Sequence, residues 1–304
     1  MSKEKIKEWT GKEKMMIKKL YDLAPWAWPE DAGKTILDIL RDENAEASDR
    51  LLAAELGGDS VVINDELAEA LFAIAGNNNE TDEIRITAVI ALGPALEMAD
   101  IQGFDDEEDI LISEKFFQRI KRDLHQLFMN EDLSKDLRRR ILEASVRATQ
   151  DWHQDVVHKA YISDDEAWQL TAIFCMCYVR GFDDQILESL ESKHPDIQYQ
   201  AVCAAGNWAL EAAWSYIADI FKSAEIDKDL LFAAIEAVVN IRPEEASSVI
   251  GHLIDSDDQD IVDAAFEALS MAEAIMESED DPGAYDEFYD NGETDEDNDD
   301  IILH

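Results

Sequence analysis

Glycine, proline and cysteine are scarce in this chain. With 12 Gly and 6 Pro in 304 residues, it lacks the frequent tight turns of a β-sandwich, and its Ala-, Leu- and Glu-rich stretches favour helices. The three cysteines, Cys175, Cys177 and Cys203, do not make a disulfide framework, which is typical of a reducing compartment. No signal peptide opens the sequence and no apolar run approaches about 18 residues, so we expect a cytoplasmic protein without membrane spans.

Basic residues are outnumbered by acidic ones, 26 against 70, which gives a formal net charge of −44. Phosphate backbones and anionic membrane surfaces attract clustered Lys and Arg, so we expect neither a nucleic acid nor a membrane as a partner. Two explanations of the acidity stay open. An acidic groove would attract a basic peptide or protein, whereas adaptation to a saline cytoplasm would imply no partner.

The two ends of the chain differ in charge. Residues 1–20 carry seven Lys and three Glu and are predicted to form an amphipathic helix, which "APWAWP" at 24–29 interrupts. Residues 1–28 therefore read as an N-terminal capping helix with a linker, or alternatively as a docking segment. Residues 277–304 carry thirteen acidic and no basic side chains, which predicts a disordered acidic tail.

A short pattern recurs through the middle of the chain. In its clearest copies an acidic residue and an apolar residue precede Arg or Gln, and small residues follow three and six places later. The copies are "AEAS" at 45–48, "DEIR" at 82–85, "KDLR" at 135–138, "EAWQ" at 166–169, "PDIQ" at 195–198, "KDLL" at 228–231 and "QDIV" at 259–262. An apolar-periodic segment and a polar turn precede each copy. Repetition at about 30 residues predicts stacked helix pairs, that is, an α-solenoid.

Two copies in their longer context, "DEIRITAVIALG" at 82–93 and "HPDIQYQAVCAAG" at 194–206, resemble the HEAT repeat family, in particular its short bacterial, phycobilin-lyase-type repeats. The resemblance covers roughly residues 29–276, with an insertion near 98–115. It implies an all-α, right-handed α-solenoid (an armadillo-like α–α superhelix) of about seven HEAT-like helix pairs. Its concave face, lined by the second helices, would bind other proteins.

The family's arginine is kept at two positions, Arg85 and Arg138. Glutamine replaces it at Gln169 and Gln198, and the last two copies carry no polar group there. The resemblance therefore does not imply the family's inter-repeat polar ladder for the C-terminal half.

No catalytic, cofactor-binding or metal-binding residue is predicted. Cys175 and Cys177 are two residues apart on a predicted helix, so they point to different faces and do not form a Cys-x-x-Cys metal loop; all three cysteines are expected to pack in the core. None of the six histidines is followed by Glu, so the His-Glu iron ligands of deoxyhypusine hydroxylase, a HEAT-like enzyme, are missing. We therefore expect a protein that is not an enzyme and needs no cofactor.

The candidate partner-binding residues are Trp168, Gln198, Trp208 and Trp214. Tryptophans exposed in a solenoid groove would serve as interface anchors, and Gln198 stands where the family prefers Arg. The expected function is a protein-binding or scaffold module that acts through its concave face. The alternatives are an acidic chaperone or nucleic-acid mimic that occupies a basic site on another protein, and a lyase-type accessory enzyme with an unrecognised pocket. The sequence predicts no oligomeric state.

Overall fold

The computed structural model describes residues 17–104, 110–223 and 226–280. All regular elements of these residues are helical, and the chain divides into two units, residues 1–182 and 183–304. The expectations for the Lys-rich segment before residue 17, for residues 105–109 of the insertion and for the tail beyond residue 280 lie outside the described residues.

The described part of the first unit contains four successive helix pairs. Residues 17–21 are helical and are followed by a 3₁₀ turn at Pro25–Ala27. The pairs are α1 (Ala32–Arg41) with α2 (Ala47–Leu56), α3 (Asp65–Gly76) with α4 (Asp82–Gln102), α5 (Glu114–Phe128) with α6 (Lys135–Ser145), and α7 (Trp152–Tyr161) with α8 (Glu166–Met176). The second helices α2, α4, α6 and α8 pack each against the next, as do the first helices α1, α3 and α5. This neighbour-to-neighbour packing is the pattern of an α-solenoid.

The described part of the second unit contains three further pairs. They are α9 (Asp183–Leu190) with α10 (Pro195–Asn207), α11 (Trp214–Ile220) with α12 (Lys228–Ile241), and α13 (Ala246–Ile250) with α14 (Gln259–Asp280). Short 3₁₀ turns lie at Glu211–Ala213, Pro243–Glu245 and Gly251–Asp255. The second helices α10, α12 and α14 again pack in sequence order, so the predicted all-α repeat fold is confirmed within each unit.

Polar side chains of the inter-helix turns fix several helix starts. Ser134 accepts a hydrogen bond from the backbone N–H of Leu137 at the start of α6, and Asp165 accepts one from Ala167 at the start of α8. Asp227 caps α12 in the same way. These bonds satisfy donors that the first turn of a helix otherwise leaves without a partner.

Six of the seven copies of the pattern begin at the first residue of a second helix, whereas the predicted register of the first copy is wrong. Helix α2 begins at Ala47 rather than at residue 45. Arg50 donates a hydrogen bond to the Leu40 carbonyl ten residues earlier, at 3.3 Å. Arg85 does the same to the Ala75 carbonyl, at 3.0 Å. The first copy is therefore "ASDR" at 47–50, two residues later than predicted, because extended Glu46 still belongs to the turn.

Small residues of the pattern bring the second helices close together. Ala88, Ala201, Ala234 and Ala265 are all fully buried. At Gly206, an added Cβ would lie 2.9 Å from the Ala237 Cα on the neighbouring helix α12. A larger side chain at that position would force these two helices apart.

The Arg or Gln of the pattern bonds to a carbonyl of its own helix pair, and Arg50 and Gln198 also reach the next pair, at Glu80 and Tyr216. Arg138 donates to the Phe128 carbonyl at 3.2 Å, and Gln169 donates to the Ser163 carbonyl at 2.8 Å. These carbonyls lie at or just after the end of the first helix, where intrahelical donors are lacking.

Neighbouring pairs are also joined by side chains that lie thirty residues apart. The Lys135 ammonium lies 2.9 Å from the Asp165 carboxylate in the first unit, and its hydrogen bond lowers the pKa of that carboxyl. In the second unit Lys228 makes the same contact with Asp258, also at 2.9 Å. An inter-repeat link that the resemblance did not imply for the C-terminal half is therefore present there.

Candidate functional site

An apolar groove of about 410 Å³ lies between residues 20–28 and the second helices α2 and α4. Leu20, Leu23 and Trp28 form one wall, and Leu56 with Ile90 forms part of the other. The groove thus lies on second helices of the first unit, the helices from which the sequence predicts a binding face.

The segment at 20–28 is held in place by a tryptophan. The indole Nε1 of Trp28 donates hydrogen bonds to the carbonyls of Leu20, at 2.9 Å, and Leu23, at 3.2 Å. Leu20 itself is buried. The turn is therefore closed on itself by polar contacts and anchored in the core, so this wall of the groove is formed before any ligand arrives.

A glycine and a proline shape the floor of the groove. Gly58 packs so closely on helix α4 that an added Cβ would lie 2.1 Å from the Ala91 carbonyl oxygen. Pro94 lies inside α4 and has no N–H, so the Ile90 carbonyl one turn earlier lacks its usual donor. Gly58, Ile90, Ala91 and Pro94 all line the groove.

The charged residues that line the groove, Glu55 and Asp59, are both acidic. Asp59 accepts a hydrogen bond from the Val61 backbone N–H at 2.9 Å, which holds its carboxylate in a turn. Glu55 is exposed, and within the described part of the chain it makes no ion pair. The edge of the groove therefore attracts cations.

Large apolar side chains are exposed on and beside the groove. Trp26, between the lining residues Pro25 and Trp28, is 86% exposed, and Tyr21 is 58% exposed. On α4, Ile90 is 49% exposed, and Ile101, which does not line the groove, is 76% exposed. Because eleven residues make about three turns, Ile90 and Ile101 lie on the same face of the helix. Exposed apolar residues grouped in this way are typical of interaction surfaces.

The sequence-predicted site residue of the first unit is Trp168, on α8. It is half-buried, and its ring contacts the Phe128 ring edge-on, with centroids 6.5 Å apart. The contact places at least part of this indole in the packing between neighbouring helix pairs.

The other three predicted residues belong to the second unit and are also half-buried. Gln198 donates to the Leu190 carbonyl at 3.4 Å and also to the Tyr216 hydroxyl. Trp208 ends helix α10, and its backbone N–H bonds to the Ala204 carbonyl at 3.2 Å. Trp214 begins α11, with the Arg242 guanidinium 5.0 Å above its ring. Gln198 and Trp214 thus have internal contacts, and their role toward a partner stays a prediction.

A buried serine and histidine meet at 3.1 Å, between Ser145 Oγ and His153 Nε2. The backbone N–H of Gln150 donates to His153 Nδ1 at 2.9 Å, and burial, the largest cause, lowers the pKa of His153 to about 3. The neutral ring therefore carries its proton on Nε2 and donates it to Ser145, which in turn donates to the Leu142 carbonyl at 3.1 Å. A histidine that donates to the serine cannot act as its base, so the pair is a structural contact.

A second cleft, of about 670 Å³, has walls of mixed charge. Its cations are Arg41, Lys115, Arg119 and Arg122, and its acids are Asp65, Glu66 and Glu69. Arg119 pairs with Glu69, and Asp65 accepts from the Ser113 backbone N–H at 2.7 Å. These contacts hold helix α3 against α5, and they pair some of the charged side chains that line the cleft.

Among the described residues, no cluster of three or more His, Cys, Asp or Glu side chains could hold a metal ion. Cys175 and Cys177 are buried, as predicted for core cysteines, whereas Cys203 is only half-buried. Burial raises the pKa of the Cys175 thiol. In the same part of the chain, none of the helices has both the length and the apolar character required to cross a lipid bilayer.

The groove residues carry no clear signal in the sequence. Trp26 and Trp28 belong to "APWAWP", which the sequence allowed as a docking segment but did not connect with α2 or α4. Pro94 does stand out in one respect, because it lies inside a strong helical pattern, "ALGPALEMA" at 91–99. A proline inside a helix leaves the carbonyl four residues earlier without its backbone donor.

No family model and no curated protein matches the chain. Among solved structures, an engineered protein is 16% identical and has a TM-score of 0.40, with 93% of this chain and 85% of that chain covered. YibA of Escherichia coli is 14% identical, with a TM-score of 0.36 and coverage of 87% and 98%. Kap121p is 13% identical, with a TM-score of 0.39, and the match covers 91% of this chain but 29% of that chain. Likenesses this low identify neither a family nor a function.

Proposed function

We propose that this chain is a non-enzymatic HEAT-like repeat protein that binds a basic segment of another protein on its second helices. The observation that carries the proposal is the group of exposed apolar side chains on α4 and beside it, in a chain with a net charge of −44. Apolar contacts would supply affinity, and the acidic surroundings would select and steer a basic partner.

The arrangement of the helix pairs supports this proposal. Within each unit, second helices that pack in sequence order form a continuous surface, and repeat proteins bind partners on such surfaces. Trp168, Gln198, Trp208 and Trp214 remain proposed contributors, because each is half-buried and leaves part of its surface for a partner.

Affinity capture with two matched variants tests the proposal. Ile101 on α4 and Ile162 just after α7 are both exposed, 76% and 65%, so Ile101→Arg and Ile162→Arg make the same charge change on a second helix and just after a first helix. We expect the unsubstituted chain and Ile162→Arg to retain the same basic proteins from a lysate. Ile101→Arg should lose them, because it removes an apolar contact and repels a basic partner.

Other results would contradict the proposal. Equal retention by all three chains would place the binding away from α4. Loss of the retained protein on deletion of residues 281–304 would favour the acidic-mimic alternative, because that deletion leaves helix α14 intact. Retention of acidic and basic proteins alike would show that charge does not select the partner.

A further inference from the structure

We propose that the groove between residues 20–28 and helices α2 and α4 binds an amphipathic basic helix of a partner protein. This inference rests on the proposed function and names its site and the form of its ligand. The ligand would place apolar side chains in the groove and Lys or Arg side chains along its acidic edge.

The size of the groove selects a short segment. A volume of about 410 Å³ holds a few large side chains, such as the anchors that a helix presents at positions i, i+3 or i+4, and i+7. Because Trp28 fixes the turn at 20–28 by two hydrogen bonds, little ordering of the protein accompanies binding.

The apolar walls favour a helix over an extended segment. An extended ligand leaves its backbone N–H and C=O groups without partners in an apolar groove unless a strand edge pairs with them. The described residues contain no strand, so no such edge is present there. A helix satisfies its own backbone groups and requires only side-chain contacts from the groove.

The acceptors around the groove favour positive charge on that helix. Glu55 and Asp59 are the charged lining residues, and the Ile90 carbonyl lacks its usual helical donor because of Pro94. Between residues 17 and 60, which include Lys18 and Lys19, the chain carries ten acidic and five basic side chains. An acidic helix would be repelled there, whereas Lys and Arg side chains would find acceptors on both sides of the apolar contact.

Peptide binding to the full chain tests the inference. The probe is a labelled Leu/Lys amphipathic peptide of about 18 residues, long enough to be helical when bound, and the readout is fluorescence anisotropy in about 0.15 M NaCl. A peptide of the same composition in scrambled order should bind at least about tenfold more weakly, because it cannot gather its leucines on one face. A Leu/Glu peptide of the original pattern should not bind.

Two double variants separate the groove from the overall charge. Glu55→Gln with Asp59→Asn should weaken the Leu/Lys peptide roughly tenfold, because two partly exposed ion pairs are lost. Glu131→Gln with Asp132→Asn makes the same charge change at two exposed residues after α5 and should leave binding within about twofold. The amide oxygen introduced by Asp59→Asn can still accept a hydrogen bond from the Val61 N–H, so we expect this turn to be preserved. An unchanged melting temperature of both double variants would confirm that they fold.

Several outcomes would overturn the inference. Equal binding of the scrambled peptide would show that charge alone holds the ligand. An equal effect of the two double variants would show that the groove is not the site. If the Leu/Lys peptide fails to bind while Ile101→Arg still abolishes capture of basic proteins, the groove assignment is wrong and the proposed function stands. If both experiments fail, both are wrong.

Discussion

At the scale of single residues, buried polar groups are used to hold turns and helix ends. His153, fully buried, bridges the Gln150 backbone and the Ser145 hydroxyl. Trp28 closes the turn at 20–28, and Arg85 satisfies the carbonyl of Ala75. From the sequence alone, residues of these types are candidates for catalytic or binding sites. Their hydrogen-bond partners are groups of the protein itself, so they hold turns and helix ends in position.

The first prediction concerns His153 and pH. Burial lowers the pKa of His153 to about 3 in the folded chain, whereas an exposed His has a pKa of about 6.5. Between these values the unfolded chain binds a proton that the folded chain does not. The contribution of His153 to the free energy of unfolding is therefore complete above pH ~6.5 and is lost by about 1.4 kcal/mol per pH unit below it.

Urea unfolding of the unsubstituted chain and of His153→Gln measures this effect. At about pH 7.5 we expect the variant to be about 1–3 kcal/mol less stable, because buried hydrogen bonds are lost. At about pH 5 the difference should shrink by about 2 kcal/mol, since Gln does not titrate. Comparing the two chains at each pH removes the effect of the other titrating groups. A difference that stays constant between the two pH values would contradict this account.

At the scale of the helices, close packing between second helices depends on small residues. Gly58 is the extreme case, since an added Cβ would lie 2.1 Å from the Ala91 carbonyl oxygen, whereas nothing lies within 4 Å of a Cβ added at Gly76. We expect Gly58→Ala to lower the free energy of unfolding by about 1–3 kcal/mol or more, because the end of α2 must move away from α4.

Gly76→Ala is the matched control in the same unit. It should be neutral or should stabilise the chain by up to about 1 kcal/mol, because alanine restricts the unfolded state without a clash. Chemical denaturation of both variants gives the comparison. Equal stability of the two variants would mean that α2 and α4 are not packed as closely as the Gly58 geometry requires.

The helix pairs could be predicted from the sequence because their signals are local. Six second helices begin at the first residue of a copy of the pattern, and caps such as Ser134 and Asp165 lie in the expected turns. The predicted first copy, "AEAS", begins two residues too early. Glu46 and the small residues beside it resemble the start of a copy, although Glu46 belongs to the turn. The correct register follows from the hydrogen bond between Arg50 and the Leu40 carbonyl, and only the structure shows that bond.

The groove could not be predicted from the sequence because it depends on contacts between distant segments. Residues 20–28 reach α2 and α4, about thirty and seventy residues later in the chain. Nothing in the local pattern of "APWAWP" specifies where that turn packs, or that Trp26 is exposed while Trp28 is bonded. The aromatic residues chosen from the sequence were those on the repeats themselves, where tryptophan also serves packing, as Trp168 does against Phe128.

At the scale of the whole molecule, the net charge of −44 must weaken the folded state through repulsion, and salt should relieve it. We expect the melting temperature to rise between about 0.01 M and 0.15 M NaCl, as the screening length falls from about 30 Å to 8 Å, and then to level off. Thermal unfolding followed by circular dichroism measures this dependence. A continued rise into the molar range would instead favour adaptation to a saline cytoplasm.

The central claim is that a basic ligand binds on the second helices of the first unit. Hydrogen–deuterium exchange of the full chain, with and without the Leu/Lys peptide, tests it most directly, because it reports which amides become protected. We expect added protection in residues 20–28, at the end of α2 and around Ile90 in α4, with little change in α1 and α3. Protection confined to α1, α3 and α5, or spread evenly over the acidic surface, would contradict it.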